Sequence, residues 1–198
     1  MMATKQRLLT DAVAYMAEHG VTDRSLRQIA AGLGTSHRML IYHFGSKEGL
    51  LVEIIKTVEA QQREVLAGLA HEPGESPGDM ARRFWRRVSD PSLWPNARLF
   101  FEVYGQALQG RPGTADLLDD VVHAWLDPMI ALGVSHGLSE EDAKVSARLG
   151  LAVARGLLLD LLATGEREPV DAAMELFIAD YEARLPRHSR QSPAPDPG

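Results

Sequence analysis

The 198-residue chain contains no cysteine. That excludes disulfides, thiolate zinc sites and a cysteine nucleophile, and it fits a reducing compartment. A long apolar run is lacking too. The longest, Leu149 to Ala163, is broken by Arg155 and Asp160 and falls short of the roughly 18 to 20 residues that a bilayer-spanning helix needs. The opening MMATKQRLLTDAVAYM is interrupted by polar residues every few positions, so no secretory leader is expected. Strand signals are scarce, with no sustained alternation and no Asn-Gly or Asp-Gly hairpin turn. Nor is there an excess of positive charge. A net charge of −6 excludes a protein that coats nucleic acid over its whole surface. These absences predict an all-helical, cytoplasmic protein with no membrane association.

The charge is unevenly spread. Residues 1–50 hold Lys5, Arg7, Arg24, Arg27, Arg38 and Lys47 against Asp11, Glu18, Asp23 and Glu48, a balance of +2, which leaves −8 for the remainder. His19, His37 and His43 add donors to the same segment. Such asymmetry points to a small module facing a polyanion, joined to an acidic body.

Helical spacing recurs throughout. Leu9, Ala12, Val13 and Met16 repeat at i, i+3, i+4, i+7 before Gly20, giving a first helix with a glycine stop. Ser25 caps a second, short helix built on Leu26, Ile29, Ala30 and Leu33, ended by Gly34. Ser36 or Thr35 caps a third, with Leu40 and Phe44 inward, and Gly45 breaks it. Ser46 then caps a fourth helix reaching Leu69, whose stripe is Leu50, Leu51, Ile54, Ile55 and Val58. Residues 71–79 read as a loop. Further helices are predicted near 79–88, 94–109, 114–135, 139–164 and 169–185, about nine in all, with Pro128 kinking or dividing the third of these. The tail after Pro186 is expected to be disordered.

Two short helices joined by a glycine turn, each too short to stand alone, form a helix-turn-helix when packed on the first helix. In that motif the second helix enters the major groove with its N-terminal residues against base edges. Here those residues are Ser36, His37, Arg38 and Met39. They supply a hydroxyl, an imidazole donor, a guanidinium able to grip guanine O6/N7, and an apolar group for a thymine methyl. Arg27, Thr35, Tyr42, His43 and Lys47 are candidates for the remaining DNA contacts, chiefly to phosphates. His37 and His43, six apart, share no helix face, so no metal pair is expected.

The stretch LRQIAAGLGTSHRMLIYHFGSKEGLL resembles the N-terminal DNA-binding signature of tetracycline-repressor-like (TetR family) regulators. Ile29-Ala30, Gly34, Leu40, Tyr42-His43-Phe44, Lys47-Glu48 and Leu50-Leu51 carry the likeness, which covers about 45 residues. Ile41 departs from it, standing where the family usually has a DNA-contacting tyrosine. The resemblance implies a head at residues 1–46, a helical effector-binding and dimerisation body at 47–186, and a tail at 187–198. It also implies a repressor that binds a palindromic operator in double-stranded DNA as a homodimer and is released by a small molecule, with no cofactor.

The residues of the body allow this independently. ARLGLAVARGLLLDLLATG (147–165) is apolar nearly all round, which in a soluble protein means burial on several sides. Gly150, Ala154, Leu157, Leu158 and Leu161, with Leu176 from the last helix, are the candidate dimer interface. Aromatic residues concentrate between 84 and 125. Phe101, Tyr104, Trp125, Met129 and Arg155 are the candidate pocket, with Arg155 either salt-bridged or facing an anionic effector. An enzyme is not expected: Asp116/Asp120 and His123/Asp127 are i, i+4 pairs without a nucleophile or complete metal set. A helical interaction module without sequence-specific DNA binding, and a monomeric DNA-binding protein, are the remaining alternatives.

Overall fold

The computed structural model describes residues 2–19, 24–69 and 76–185. Among them the regular elements are helical: α1 (Met2–His19), α2 (Leu26–Gly32), α3 (His37–Phe44), α4 (Lys47–Leu69), α5 (Pro77–Val88), a 3-10 turn (Pro91–Leu93), α6 (Trp94–Leu108), α7 (Asp116–Asp120), α8 (His123–Ser135), α9 (Glu140–Thr164) and α10 (Arg167–Arg184). The all-α class read from the sequence is the one adopted. The stop assigned to Gly20, loop residues 71–75 and the tail 187–198 lie outside the described residues.

One expectation is corrected. The break within 114–135 falls at residues 121–122, and Pro128 sits inside α8. Pro128 removes the hydrogen bond to the Ala124 carbonyl and crowds that carbonyl, yet α8 continues through it. The break arises instead where Trp125 donates to the carbonyl of Val122 at 3.0 Å, which leaves the Val121 carbonyl for another partner.

Caps fix the head. Ser25 Oγ accepts from the Gln28 backbone N–H at 3.3 Å, and Gln28 Oε1 accepts from the Ser25 N–H at 2.7 Å. This reciprocal box starts α2. Gly34, at φ +61°, turns the chain between α2 and α3 in a conformation that side chains resist. Gly49 is required by closeness: a Cβ there would lie 2.2 Å from the Phe44 carbonyl oxygen.

The first core cluster joins Leu8, Leu9, Ala12 and Met16 of α1, Leu26, Ile29 and Ala30 of α2, Leu40 and Phe44 of α3, and the α4 stripe. It continues without a gap into Leu99, Phe100 and Val103 of α6 and Leu117 of α7. Head and body therefore share one apolar cluster. Two smaller clusters hold the body, one around Trp125 and Leu151, the other around Trp85, Leu161, Met174 and Ile178.

Candidate nucleic-acid interface and effector cavity

The helix at the opening of the site is short and sharply two-faced. Ser36 caps α3 by accepting from the Met39 N–H at 3.2 Å, and its hydroxyl hydrogen stays available for donation. Leu40 and Phe44 are buried and hold α3 against α1, α2 and α4. Their burial contributes roughly 1.5–3 kcal/mol each. On the other side Ser36, His37, Arg38, Ile41 and Tyr42 are exposed. Tyr42 is 61% exposed and Ile41 40%. Arg27 is exposed on α2, while Thr35, Met39 and Lys47 are half-buried along the same edge. His43 differs from the rest. It is half-buried between Tyr42 and Phe44, with ring centroids 4.9 and 6.2 Å away, and its Nε2 is enclosed without an acceptor. That atom therefore does not reach the outer face of α3.

The residues assigned to a dimer interface divide. Leu161 is fully buried beside Trp85, Val170 and Ile178 of its own chain, so it has no surface left for a partner. This corrects its assignment. Gly150 faces its own chain too, since a Cβ there would lie 3.2 Å from Met129 Cε and 3.6 Å from Phe177 Cζ. Ala154, Leu157 and Leu158 pack against the same cluster as Leu161. Leu176 is 67% exposed. An exposed apolar stripe does run along α9, one step round from the assigned residues: Val145, Leu149, Ala152, Gly156 and Leu159. Ala172, Leu176 and Ala179 continue it on α10. The alternating spacing of four and three is that of a helix–helix seam.

A cavity of about 220 Å³ lies between α4, α5, α6, α8, α9 and α10. Phe101, Trp125, Met129 and Arg155 line it, alongside Phe84, Phe100 and Phe177. Tyr104 is set behind, its ring 5.9 Å from the Arg155 guanidinium. Arg155 Nη2 is 3.3 Å from Glu59 Oε2 and also donates to the Val121 carbonyl that the α7–α8 break leaves available. Its guanidinium lies 5.0 Å from the Phe100 centroid. Trp125 Nε1 donates to the same Glu59 oxygen at 2.6 Å. Arg155 is thus salt-bridged.

Sequence reasoning missed Glu59. Extending the α4 stripe from Ile55 by four, three and four residues lands on Glu59, Gln62 and Leu66, all lining the cavity. An acid in that register was the available signal. Burial pushes the Glu59 carboxyl above the usual carboxylate range, opposed by the Trp125 hydrogen bond and by Arg155 and Arg63. Burial also lowers Arg155 from its ordinary value, against the attraction of Glu59. Asp116, Asp120, His123 and Asp127 are exposed, and no group of three or more His, Asp or Glu able to hold a metal occurs among the described residues.

A capped helix carrying exposed donors, seated on a three-helix core and continued by a long helix into a cavity-bearing body, is the arrangement of a helix-turn-helix protein. Residues 8–54 match the family model described as bacterial regulatory proteins, tetR family. Over 181 residues the chain is 29% identical to an HTH-type transcriptional repressor of Mycobacterium tuberculosis, covering 90% of this chain and 86% of that one. A transcriptional regulator from Rhodococcus sp. RHA1 shares the fold with a TM-score of 0.71 at 20% identity, over 89% of this chain and 94% of its own. A regulator from Saccharomonospora viridis, solved with choline, shares it with a TM-score of 0.66 at 22% identity, over 94% of this chain and 100% of its own. Residues 8–54 thus carry a tetR-family DNA-binding region, and over about nine-tenths of its length the chain is similar to transcriptional regulators. Among the described residues no helix is long and apolar enough to cross a membrane.

Proposed function

We propose that the chain is a ligand-responsive repressor that binds a near-palindromic operator as a homodimer in the bacterial cytoplasm. The division of α3 into a buried Leu40/Phe44 face and an exposed His37/Arg38/Tyr42 face carries this reading. A short helix so divided has one face to seat it and one to present. Arg38 reads guanine, His37 and Met39 read neighbouring bases, and Arg27, Thr35, Ser36, Tyr42 and Lys47 position the head on phosphates. Pairing of the α9–α10 stripe between two copies sets the heads about one helical turn, roughly 34 Å, apart. The Mycobacterium relative's description as a repressor supports the direction of control. The Saccharomonospora regulator's complex with choline supports small-molecule binding.

Ligand control runs through α4, which begins beside α3 and lines the cavity with Glu59 and Gln62. A second link joins body to head, where Arg111 Nη2 of the α6–α7 loop lies 3.4 Å from Glu48 Oε1. A ligand shifts the heads only so far as it binds the two arrangements unequally. The test is selection of bound fragments from random duplex DNA by wild type and Arg38→Ala. The expected result is a short inverted repeat, with preference relaxed at one base per half-site in the variant. Recovery of no common sequence, or salt-independent binding, sinks the reading.

A further inference from the structure

The cavity wall is apolar except for a few groups, and these differ in how they are satisfied. Glu59 and Arg155 neutralise each other, and Glu59 also receives the Trp125 N–H. Gln62 of α4 and Asn96 of α6 line the same cavity, yet Gln62 Oε1 and Asn96 Oδ1 are both enclosed without a hydrogen-bond partner. Buried acceptors left unpaired cost free energy that a partner recovers. They persist where function uses them.

Each of these orphan atoms is an acceptor, so what completes them is a donor. The neighbourhood also rejects charge. Arg155 in the wall and Arg63 outside the lining both attend the single Glu59 carboxylate, so an added cation finds that charge already neutralised and meets the Arg155 guanidinium. An anion would face the Glu59 carboxylate and the two amide oxygens, with Arg155 already spent on Glu59 and Val121. Phe84, Phe100, Phe101 and Phe177 supply flat apolar walls.

Building on the effector-binding reading above, we infer that the cavity takes an uncharged, largely aromatic molecule whose O–H or N–H groups are received by Gln62 and Asn96. Because these residues stand on α4 and α6, a ligand that bonds both ties the lever to the helix beside it.

Equilibrium dialysis of the full chain with four shape-matched probes tests this: 1-naphthol, naphthalene, 1-naphthoate and 1-naphthylmethylammonium. The hydroxyl probe is expected to bind about tenfold tighter than naphthalene and tighter than either ion. In Gln62→Leu/Asn96→Leu the naphthol and naphthalene affinities converge, while the ligand-free variant melts no lower than wild type because two unpaired acceptors have gone. The two single substitutions apportion the loss. Tighter binding of either ion, no binding of any probe, an unchanged naphthol preference in the double variant, or a lower melting temperature overturns the inference. DNA retention measured in the same samples separates the two readings. Naphthol whose one O–H is received by Gln62 or Asn96, bound without release of the selected duplex, supports the inference and refutes ligand-driven release.

Discussion

Substituting Arg155 by methionine leaves the Glu59 carboxylate in the cavity wall with the Trp125 N–H donating to it at 2.6 Å. Both side chains of the pair are mostly enclosed, 17% and 19% exposed, so surface screening removes little of the interaction. Breaking one half of a buried pair costs about 3–5 kcal/mol. The retained Trp125 bond and the option of protonating Glu59 place the loss near the lower end, about 3 kcal/mol. For a chain of this length that is a fall in Tm of roughly 6–12 °C. Gln at 59 keeps an acceptor for Trp125 and removes the charge, so Glu59→Gln/Arg155→Met should be more stable than Arg155→Met by about 1–2 kcal/mol, the Val121 carbonyl staying without its donor in both. Denaturant unfolding of the four proteins of this cycle provides the measurement. A loss below about 1 kcal/mol for Arg155→Met, or a double variant as unstable as the sum of the singles, refutes the reasoning.

Glu59 also sets a pH dependence. Its folded-state pKa is raised by burial, so the fold binds its proton more readily than the unfolded chain does. Its contribution is full below the unfolded carboxylate range and is lost as pH rises through the raised value. Glu59→Gln should therefore gain on wild type as pH rises across that window, and a gap that widens in the opposite sense contradicts the assignment. Gly49→Ala drives a Cβ to 2.2 Å from the Phe44 carbonyl oxygen and should cost about 1–3 kcal/mol in thermal unfolding, with DNA affinity falling alongside as the α3–α4 junction shifts. Ser25→Ala removes one side of the α2 capping box and should cost about 1 kcal/mol; a neutral result would mean that tertiary packing alone holds α2. Leu176→Arg puts a charge on the exposed α10 stripe, and sedimentation should find dimer for wild type and monomer for the variant, whereas a variant as dimeric as wild type moves the interface elsewhere.

Much of the head was legible because local rules and tertiary packing agree there. Ser25, Gly34, Ser36, Gly45 and Ser46 are turn and cap residues at every junction, and Leu40 and Phe44 state the inward face of α3 unambiguously. The body was harder for a physical reason. Residues 147–165 are apolar nearly all round, so periodicity could not say which side of α9 the chain's own core takes. Packing against α8 and α10 claims Leu161 and the Gly150 side and leaves Leu149, Ala152, Gly156 and Leu159 outward. Arg155 was conspicuous as a charge within leucines, but its partner came from α4, 96 positions away in sequence. Short-range patterns do not carry such a pairing. His43 shows the same limit, since its motif position suggested an outward donor and its Nε2 is enclosed.

The most direct measurement of the central claim is dimethyl sulphate protection of guanine N7, a major-groove atom, on the selected duplex with wild type and Arg38→Ala. Protection of guanines in two half-sites, about one helical turn apart, with loss of one protected guanine per half-site in the variant, is the predicted result. Unchanged guanine reactivity under saturating protein, or the same protection pattern without the Arg38 guanidinium, would contradict docking of α3 in the major groove.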